Sequence, residues 1–238
     1  EIRSDEVLLN AAKFLQALAT GITSLKDEYQ RSPSKFSAAS AEELFALLPL
    51  PQFEEEIQIN KRLGPLTFRG ISQRGSSVVI KFYAQKYGID VQQHLHNAGL
   101  APEVLKVGKV GRVWSVCVMT NVEGKTLFEC LRDNSLTKDA KEDICKQLSC
   151  IKNVLKGYVH GDLHSNNIIV AAKNKLCVVD FSWAGSESSD VSYPWSLNCN
   201  IKWHPAVGGG QKILTEHDNF LIDNMIEDLS GTSSKSQT

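Results

Sequence analysis

The spacing of apolar residues predicts a helical N-terminal part, a strand-rich middle part and a mainly helical C-terminal part. From Asp5 to Tyr29, apolar side chains recur every three or four residues, which predicts an amphipathic helix. A second short helix is expected after the Ser-rich residues 31–40, where Ser40 and Glu43 form a capping-box pattern. We expect the apolar stripe of the first helix to pack on the protein's own body, with self-association as the alternative.

Short runs with strand character follow the Pro-containing residues 49–51. They are expected to form a small antiparallel sheet, and they are Leu66–Ile71, Val78–Phe82, Val104–Val107 and Val113–Met119. Between the second and third runs, Tyr87–Asn97 has a helical composition and is followed by Gly99, so one helix is expected to lean on the sheet. Three further elements are predicted along the chain: a long helix over Thr137–Lys156, a hairpin of Ile168–Ala171 with Leu176–Val179, and a last helix over Thr215–Leu229.

Composition excludes several classes of protein. The chain has 238 residues, of which 42% are hydrophobic and 22% charged, as is usual for a globular protein. The 26 Lys and Arg residues nearly balance the 27 Asp and Glu residues, so neither a nucleic acid nor a membrane surface is an expected partner. No apolar run approaches the roughly 20 residues of a membrane span. Six cysteines without a CxxC pair favour reduced thiols and a reducing intracellular compartment, although a start at Glu1 leaves any targeting signal open.

The clearest chemical pattern lies between residues 159 and 182. Asp162 precedes Asn167 by five residues, and Asp180 with Phe181 comes at the end of the predicted hairpin. This spacing suits one base and two metal-binding oxygens around a triphosphate. The segments His160–Asn167 and Val178–Ser182 therefore resemble the catalytic loop and the Asp-Phe-Gly segment of the protein-kinase superfamily.

The resemblance implies a role for each matching residue in the chemistry. Asp162 would be the catalytic base, and Asn167 and Asp180 would hold magnesium or manganese. Lys81, in the run Val78–Phe82, matches the strand-borne lysine that binds the ATP phosphates.

The resemblance also implies where the nucleotide base would bind. Met119 matches the residue behind the adenine, and backbone groups from Thr120 to Val122 would bond its edge. His164 stands where kinases carry a catalytic-loop lysine, which makes it a further cofactor-binding candidate.

A finer likeness is to divergent fungal kinase-like domains and to the kinase domains of Crinkler-type effectors, which would act in a host cell. The segments that carry it are Val79–Phe82, Tyr87-Gly88, Gly99–Pro102, Asp180–Gly185, Tyr193-Pro194, Trp203–Pro205 and Glu216–Asp218. In this likeness, Asp218 would support the backbone of the catalytic loop; the alternative is an exposed Asp at a helix N-terminus.

Departures from the kinase pattern keep two further readings open. No G-x-G-x-x-G precedes Lys81. The segment Tyr87–Asn97 contains no Glu that could pair with Lys81, which leaves Asp90, Gln92 or Gln93 as possible partners. A pseudokinase interaction module is therefore one alternative. In having Gly161 and His164, the loop around Asp162 instead resembles that of aminoglycoside and choline phosphotransferases. Few residues follow Asp180, however, to build an acceptor-binding region. The histidines His94, His96, His204 and His217 are too scattered to predict a zinc site.

Together these observations predict an α+β, two-lobed protein-kinase-like fold with an N-terminal helical extension. The expected parts are an extension and linker (1–52), an N-lobe built on the small antiparallel sheet (53–121), a mainly helical, truncated C-lobe (122–229) and a disordered tail (230–238). The expected activity is ATP- and Mg-dependent phosphoryl transfer to a Ser or Thr of a protein substrate.

Overall fold

A computed structural model of the chain describes residues 57–84, 86–110 and 114–231, and all of these belong to one compact unit. The helices predicted over Asp5–Tyr29 and after Ser40 lie outside the described residues, as does the tail from residue 232 onward. No helix in the described part of the chain is long and apolar enough to cross a membrane.

A five-stranded antiparallel sheet has the strand order β1-β2-β3-β5-β4. The strands are β1 (Ile57–Gly64), β2 (Thr67–Ser72), β3 (Ser77–Tyr83), β4 (Val104–Val110) and β5 (Trp114–Thr120). On β3, Val78, Ile80 and Phe82 are buried, whereas Val79 and Lys81 point to the opposite face because side chains alternate along a strand. The predicted sheet is therefore confirmed, with Lys81 on its central strand.

Strand β1 was not predicted from the sequence. Only Ile57 and Ile59 alternate as half-buried apolar positions, and exposed Lys61 and Arg62 follow them. An edge strand needs apolar side chains on one face only, so its pattern is short and weak. The Arg62 guanidinium donates hydrogen bonds to the carbonyls of Gly64 (3.0 Å) and Pro65 (3.2 Å), which closes the turn between β1 and β2.

The remaining elements are mainly helical, with short strands between them. The helices are α1 (Ile89–Asn97), α2 (Leu127–Arg132), α3 (Lys138–Val154) and α4 (Thr215–Ser230). The short strands are β6 (Lys125–Thr126), β7 (Tyr158–Val159), β8 (Ile168–Val170), β9 (Leu176–Val178) and β10 (Gly185–Ser186). The predicted hairpin is the pair β8–β9, and the helices expected around residues 87–97, 137–156 and 215–229 are confirmed.

Helix α2 is a second element that the sequence analysis missed. Thr126 and Glu129 form a complete capping box at its start, and this Thr-x-x-Glu pattern was the available signal. With six residues the helix is too short to show a clear apolar period.

One apolar core extends from α1 through α4. Ile144, Leu148 and Ile151 of α3 are fully buried in it, as the apolar spacing predicted. Phe181, next to the predicted metal ligand, lies in the same core. The division into lobes near residue 121 stays a prediction.

Gly88, the residue before α1, packs closely against the segment that follows Asp180. A Cβ added at Gly88 would lie 2.6 Å from the Ala184 Cβ and 2.9 Å from the Ala184 carbonyl oxygen. We expect Gly88→Ala to lower the free energy of unfolding by about 1–3 kcal/mol, because a packed backbone cannot yield cheaply. Gly208→Ala is the control, since its Cβ would meet only a Gln211 side-chain atom at 3.5 Å. Equal urea midpoints for the two variants would contradict the close packing.

Candidate active site

An ion pair between Lys81 and Asp180 joins β3 to the segment after β9. The Lys81 ammonium donates to Asp180 Oδ1, and the Ser182 hydroxyl donates to the same oxygen at 2.7 Å. Burial by itself would raise the pKa of Asp180, but the Lys81 charge and the bonds from Lys81 and Ser182 outweigh it and lower the pKa. Asp180 is therefore an anion at neutral pH, with its Oδ2 making no hydrogen bond to any described residue.

Asp180 has a left-handed backbone conformation. Its φ is +66°, which costs a non-glycine residue energy and persists only where neighbours enforce it. Phe181 beside it is fully buried, and its ring lies 5.0 Å from the His160 ring and 6.5 Å from the Tyr87 ring. The Gly88 N–H also donates to the Phe181 carbonyl at 2.9 Å. Packing of Phe181 thus fixes the direction of the Asp180 carboxylate.

The expectation that a residue of α1 pairs with Lys81 is wrong. Gln92 is buried, but its Oε1 accepts from the Tyr87 hydroxyl (3.0 Å) and its Nε2 donates to the Pro102 carbonyl (3.0 Å). Gln93 bonds Asn97 within the helix, and Asp90 is exposed. The Lys81 Nζ instead lies 5.5 Å from the centroid of the Tyr87 ring. A neutral amide so engaged cannot replace a carboxylate, so the Lys81 charge is balanced by Asp180.

Asp162, His164 and Asn167 form a second cluster. The Asn167 Nδ2 donates to Asp162 Oδ2 at 2.9 Å and to the Asp162 carbonyl at 2.8 Å. His164 Nδ1 accepts from the Asn166 N–H at 3.3 Å, so its other nitrogen, Nε2, carries the proton and lies 3.3 Å from Asp162 Oδ1. Both carboxylate oxygens of Asp162 are thereby held in place.

Asp218 supports the backbone of the loop that carries this cluster, as the resemblance implied. It is 1% exposed, and its oxygens accept from the backbone N–H groups of His160 (2.6 Å) and Gly161 (2.9 Å). Burial, the largest effect, raises its pKa to about 7, although the two N–H donors oppose the shift. The alternative of an exposed aspartate at a helix N-terminus is wrong.

His160 is a functional residue for which the sequence analysis gave no role. Its Nδ1 accepts from the Asp162 N–H at 3.3 Å, so Nε2 is the donor to the Val179 carbonyl at 3.2 Å. Burial lowers the pKa of this imidazole, which keeps it neutral and able to both accept and donate. His160 therefore links the loop that carries Asp162 to the strand that leads into Asp180. Its position directly before Gly-Asp was the only signal in the sequence.

A cavity of about 760 Å³ brings most of the predicted site residues together. Lys81, Met119, Thr120, Val122, Asn167 and Asp180 all line it. Asp162 and His164 do not line it but connect to it through Asn167. Further lining residues that the sequence analysis did not single out are Lys61, Arg69, Glu123, Thr126, Glu129 and Ile169.

Two further segments contribute to the lining of the cavity, the β1–β2 turn and the chain that follows β5. Gly64 and Pro65 of the β1–β2 turn contribute to its lining where a Gly-rich loop was missing from the sequence. At the end of β5, the Thr120 N–H donates to the Glu103 carbonyl (3.0 Å), and the next N–H, that of Asn121, donates to the Ser77 carbonyl (3.1 Å). The next N–H, that of Val122, has no hydrogen-bond partner among the described residues.

Comparison with solved structures shows which fold the chain has. The structure of the kinase PK-1 of Cydia pomonella granulovirus matches with a TM-score of 0.57 over 84% of this chain and 74% of the viral chain, at 18% sequence identity. The chain has a protein-kinase-like fold. No protein-family model matches the sequence, and a search of curated proteins found no match either.

Within this kinase-like fold, Gly161 is a packing requirement. Its φ is +80°, and an added Cβ would lie 2.8 Å from the Ile213 side chain and 3.2 Å from the Trp183 Cβ. Ile213 belongs to a small apolar cluster with Val159 and Tyr193. A larger residue at this position would have a strained left-handed backbone and would have to displace the buried Ile213 side chain.

The buried Asp218 gives a pH-dependent contribution to stability. Its folded-state pKa of about 7 lies above its ordinary 3.8, so between these values only the folded state holds the proton and stability falls as pH rises. We expect the free energy of unfolding of the wild type, relative to Asp218→Asn, to fall by about 2–3 kcal/mol from about pH 5 to about pH 7 and then to level off. Urea unfolding of both proteins across this range measures it. Parallel curves would show that Asp218 is ionised throughout.

Proposed function

We propose that this protein is an ATP- and Mg-dependent phosphotransferase, and specifically a divergent Ser/Thr protein kinase. The observation that supports it is that Lys81, Asn167 and Asp180, which lie far apart in the sequence, line one cavity of nucleotide size. These residues and Asp162 also form two hydrogen-bonded pairs, Lys81 with Asp180 and Asn167 with Asp162. A chain that served only as an interaction module would need neither.

The oxygen atoms available in the cavity fit a hard divalent cation. Asp180 Oδ2 and Asn167 Oδ1 make no hydrogen bond to any described residue, whereas their partner atoms are already engaged. Carboxylate and amide oxygens are ligands that Mg²⁺ prefers over nitrogen or sulfur. These two residues would hold magnesium, which when bound neutralises phosphate charge.

The remaining lining residues fit an adenine nucleotide. Val79, Met119 and Ile169 supply apolar surface for a planar base. The Val122 N–H, which has no partner among the described residues, can donate to an acceptor on the edge of that base. Lys81 supplies a cation for phosphate oxygens, and Lys61 and Arg69 add positive charge on β1 and β2.

Asp162 is the proposed base. Its carboxylate would accept the proton of the acceptor hydroxyl and orient that oxygen for attack on the γ-phosphorus, while the bond from the γ-phosphorus to the β–γ bridging oxygen breaks and ADP leaves. Asn167 and His164 fix the two carboxylate oxygens, while Asp218 and His160 fix the backbone that carries them. Positioning of this kind is the main contribution of a protein to phosphoryl transfer.

A second candidate is a small-molecule phosphotransferase. Gly161 and the contact of His164 with Asp162 favour it, because both replace residues of the usual protein-kinase loop. The proposal of a protein Ser or Thr as acceptor rests on the likeness to Crinkler-type kinase domains, which itself stays a prediction.

The roles of the two aspartates are separable by experiment. We expect Asp180→Ala to abolish Mg-dependent stabilisation by ATP, because Asp180 would hold the metal and balances Lys81. Asp162→Ala should still be stabilised by Mg-ATP but should transfer no phosphate, since Asp162 would serve the acceptor. Thermal unfolding with and without Mg-ATP, together with γ-phosphate transfer, measures both.

Asp190→Ala is the matched control, because Asp190 is exposed and lies outside both clusters. It should behave as the wild type in both assays. Equal loss of ATP stabilisation in the Asp162 and Asp180 variants would contradict the assignment. A wild type that is not stabilised at millimolar Mg-ATP would instead indicate a pseudokinase.

The acceptor class is tested by self-modification. Serine clusters occur in the sequence at Ser32–Ser40 and Ser230–Ser236, so we expect the purified protein to gain phosphate there when incubated with Mg-ATP. Intact-mass spectrometry measures the gain, and Asp162→Ala should remain unmodified. ATP turnover that requires a small hydroxylated metabolite, without added mass on the protein, would favour the small-molecule candidate.

A further inference from the structure

Two histidines that are isolated in the sequence meet beside the start of α4. The rings of His204 and His217 lie 5.2 Å apart, and Glu216 Oε1 lies 3.9 Å from His217 Nε2. One ligand atom from each of His204, Glu216 and His217 falls within 4.8 Å of the other two. His204 and His217 are 13 positions apart in the chain, so no spacing rule predicts their meeting from the sequence.

A second observation points to a ligand at this place. His217 is 2% exposed, and its Nε2 is buried without a hydrogen-bond partner among the residues that the structure describes. Its other nitrogen, Nδ1, is engaged by the Tyr193 hydroxyl at 3.2 Å and the Leu214 N–H at 3.3 Å. Buried polar side chains nearly always find a partner, so an unpartnered nitrogen that faces an imidazole and a carboxylate needs an explanation.

We propose that His204, Glu216 and His217 bind a divalent transition-metal ion of the zinc class. Two imidazoles and one carboxylate form a ligand set typical of zinc, with the fourth position left to water. Glu216 is exposed and His204 is half-buried, so an ion can enter from solvent. Because the Leu214 N–H donates to Nδ1, the proton of neutral His217 is on Nε2 in this structure. In the ligating form, this proton would move to Nδ1, which would then donate to the Tyr193 oxygen in place of accepting from Leu214, and Nε2 would present its lone pair to the metal, the usual arrangement around a metal-bound histidine.

The site would brace the catalytic loop. His204 lies in the segment between β10 and α4, whereas Glu216 and His217 lie in the first turn of α4. The next residue, Asp218, holds the backbone N–H groups of His160 and Gly161. A metal ion would therefore tie the segment before α4 to the helix end that positions the loop of Asp162. This inference does not depend on which phosphate acceptor the protein uses.

Zinc titration of the metal-depleted full chain tests the site. With excess Mg²⁺ present to occupy oxygen-rich sites, competition against a chromogenic zinc chelator should show one equivalent bound, and Zn²⁺ should raise the melting temperature. His204→Gln and Glu216→Gln are the primary variants, because both positions are partly or fully exposed and their loss should leave the fold intact. Each should weaken Zn²⁺ binding by about 100-fold or more, since even indirect partners of a metal contribute about 10–100-fold.

His96→Gln is the matched control, because His96 is half-buried on α1 and bonds the Ala101 carbonyl. It should bind Zn²⁺ as the wild type does. Replacement of Zn²⁺ by Co²⁺ should give visible absorption bands of a four-coordinate site in the wild type and in His96→Gln, and none in His204→Gln. Zn²⁺ affinity that is unchanged in the His204 and Glu216 variants, or no bound equivalent in the wild type, would overturn the proposal.

Discussion

The arrangement of the site depends on one buried carboxylate that holds two consecutive backbone N–H groups. Asp218 reaches from α4 to His160 and Gly161, so the loop that carries Asp162 cannot shift without leaving buried polar groups unpaired. From there the connection continues through His160 to Val179 and through Phe181 to α1. The two halves of the candidate site, Asp162 with Asn167 and Asp180 with Lys81, are thus fixed relative to each other by hydrogen bonds and packing.

Charge balance in the cavity differs from what a helix carboxylate would give. Because Gln92 is neutral and fully engaged with Tyr87 and Pro102, Lys81 has Asp180 as its counter-ion. Under the proposed function, the same carboxylate would balance the Lys81 charge and also hold a metal ion. A bound cation would compete with Lys81 for Asp180, and Lys81 would turn to the phosphates, so metal and nucleotide should bind cooperatively.

The sequence predicted the parts of the structure that local patterns determine. The spacing of Asp162, Asn167 and Asp180, the apolar stripe of α3 and the hairpin β8–β9 all depend on residues close in the chain. Strand β1 and helix α2 were missed because one is a half-exposed edge and the other has less than two full turns. The roles of His160 and Gln92, the pairing of Lys81 with Asp180, and the meeting of His204 with His217 arise only from tertiary packing, to which a single sequence gives no access.

The turn between β1 and β2 has a consequence for how a ligand would be enclosed. A Gly-rich loop explores many conformations when free and loses them on closing over phosphates, which weakens binding. Here Pro65 restricts the backbone, and the Arg62 guanidinium is already bonded to the carbonyls of Gly64 and Pro65. The turn that lines the cavity is therefore more preorganised than a Gly-rich loop, and less backbone entropy would be lost if a ligand bound against it.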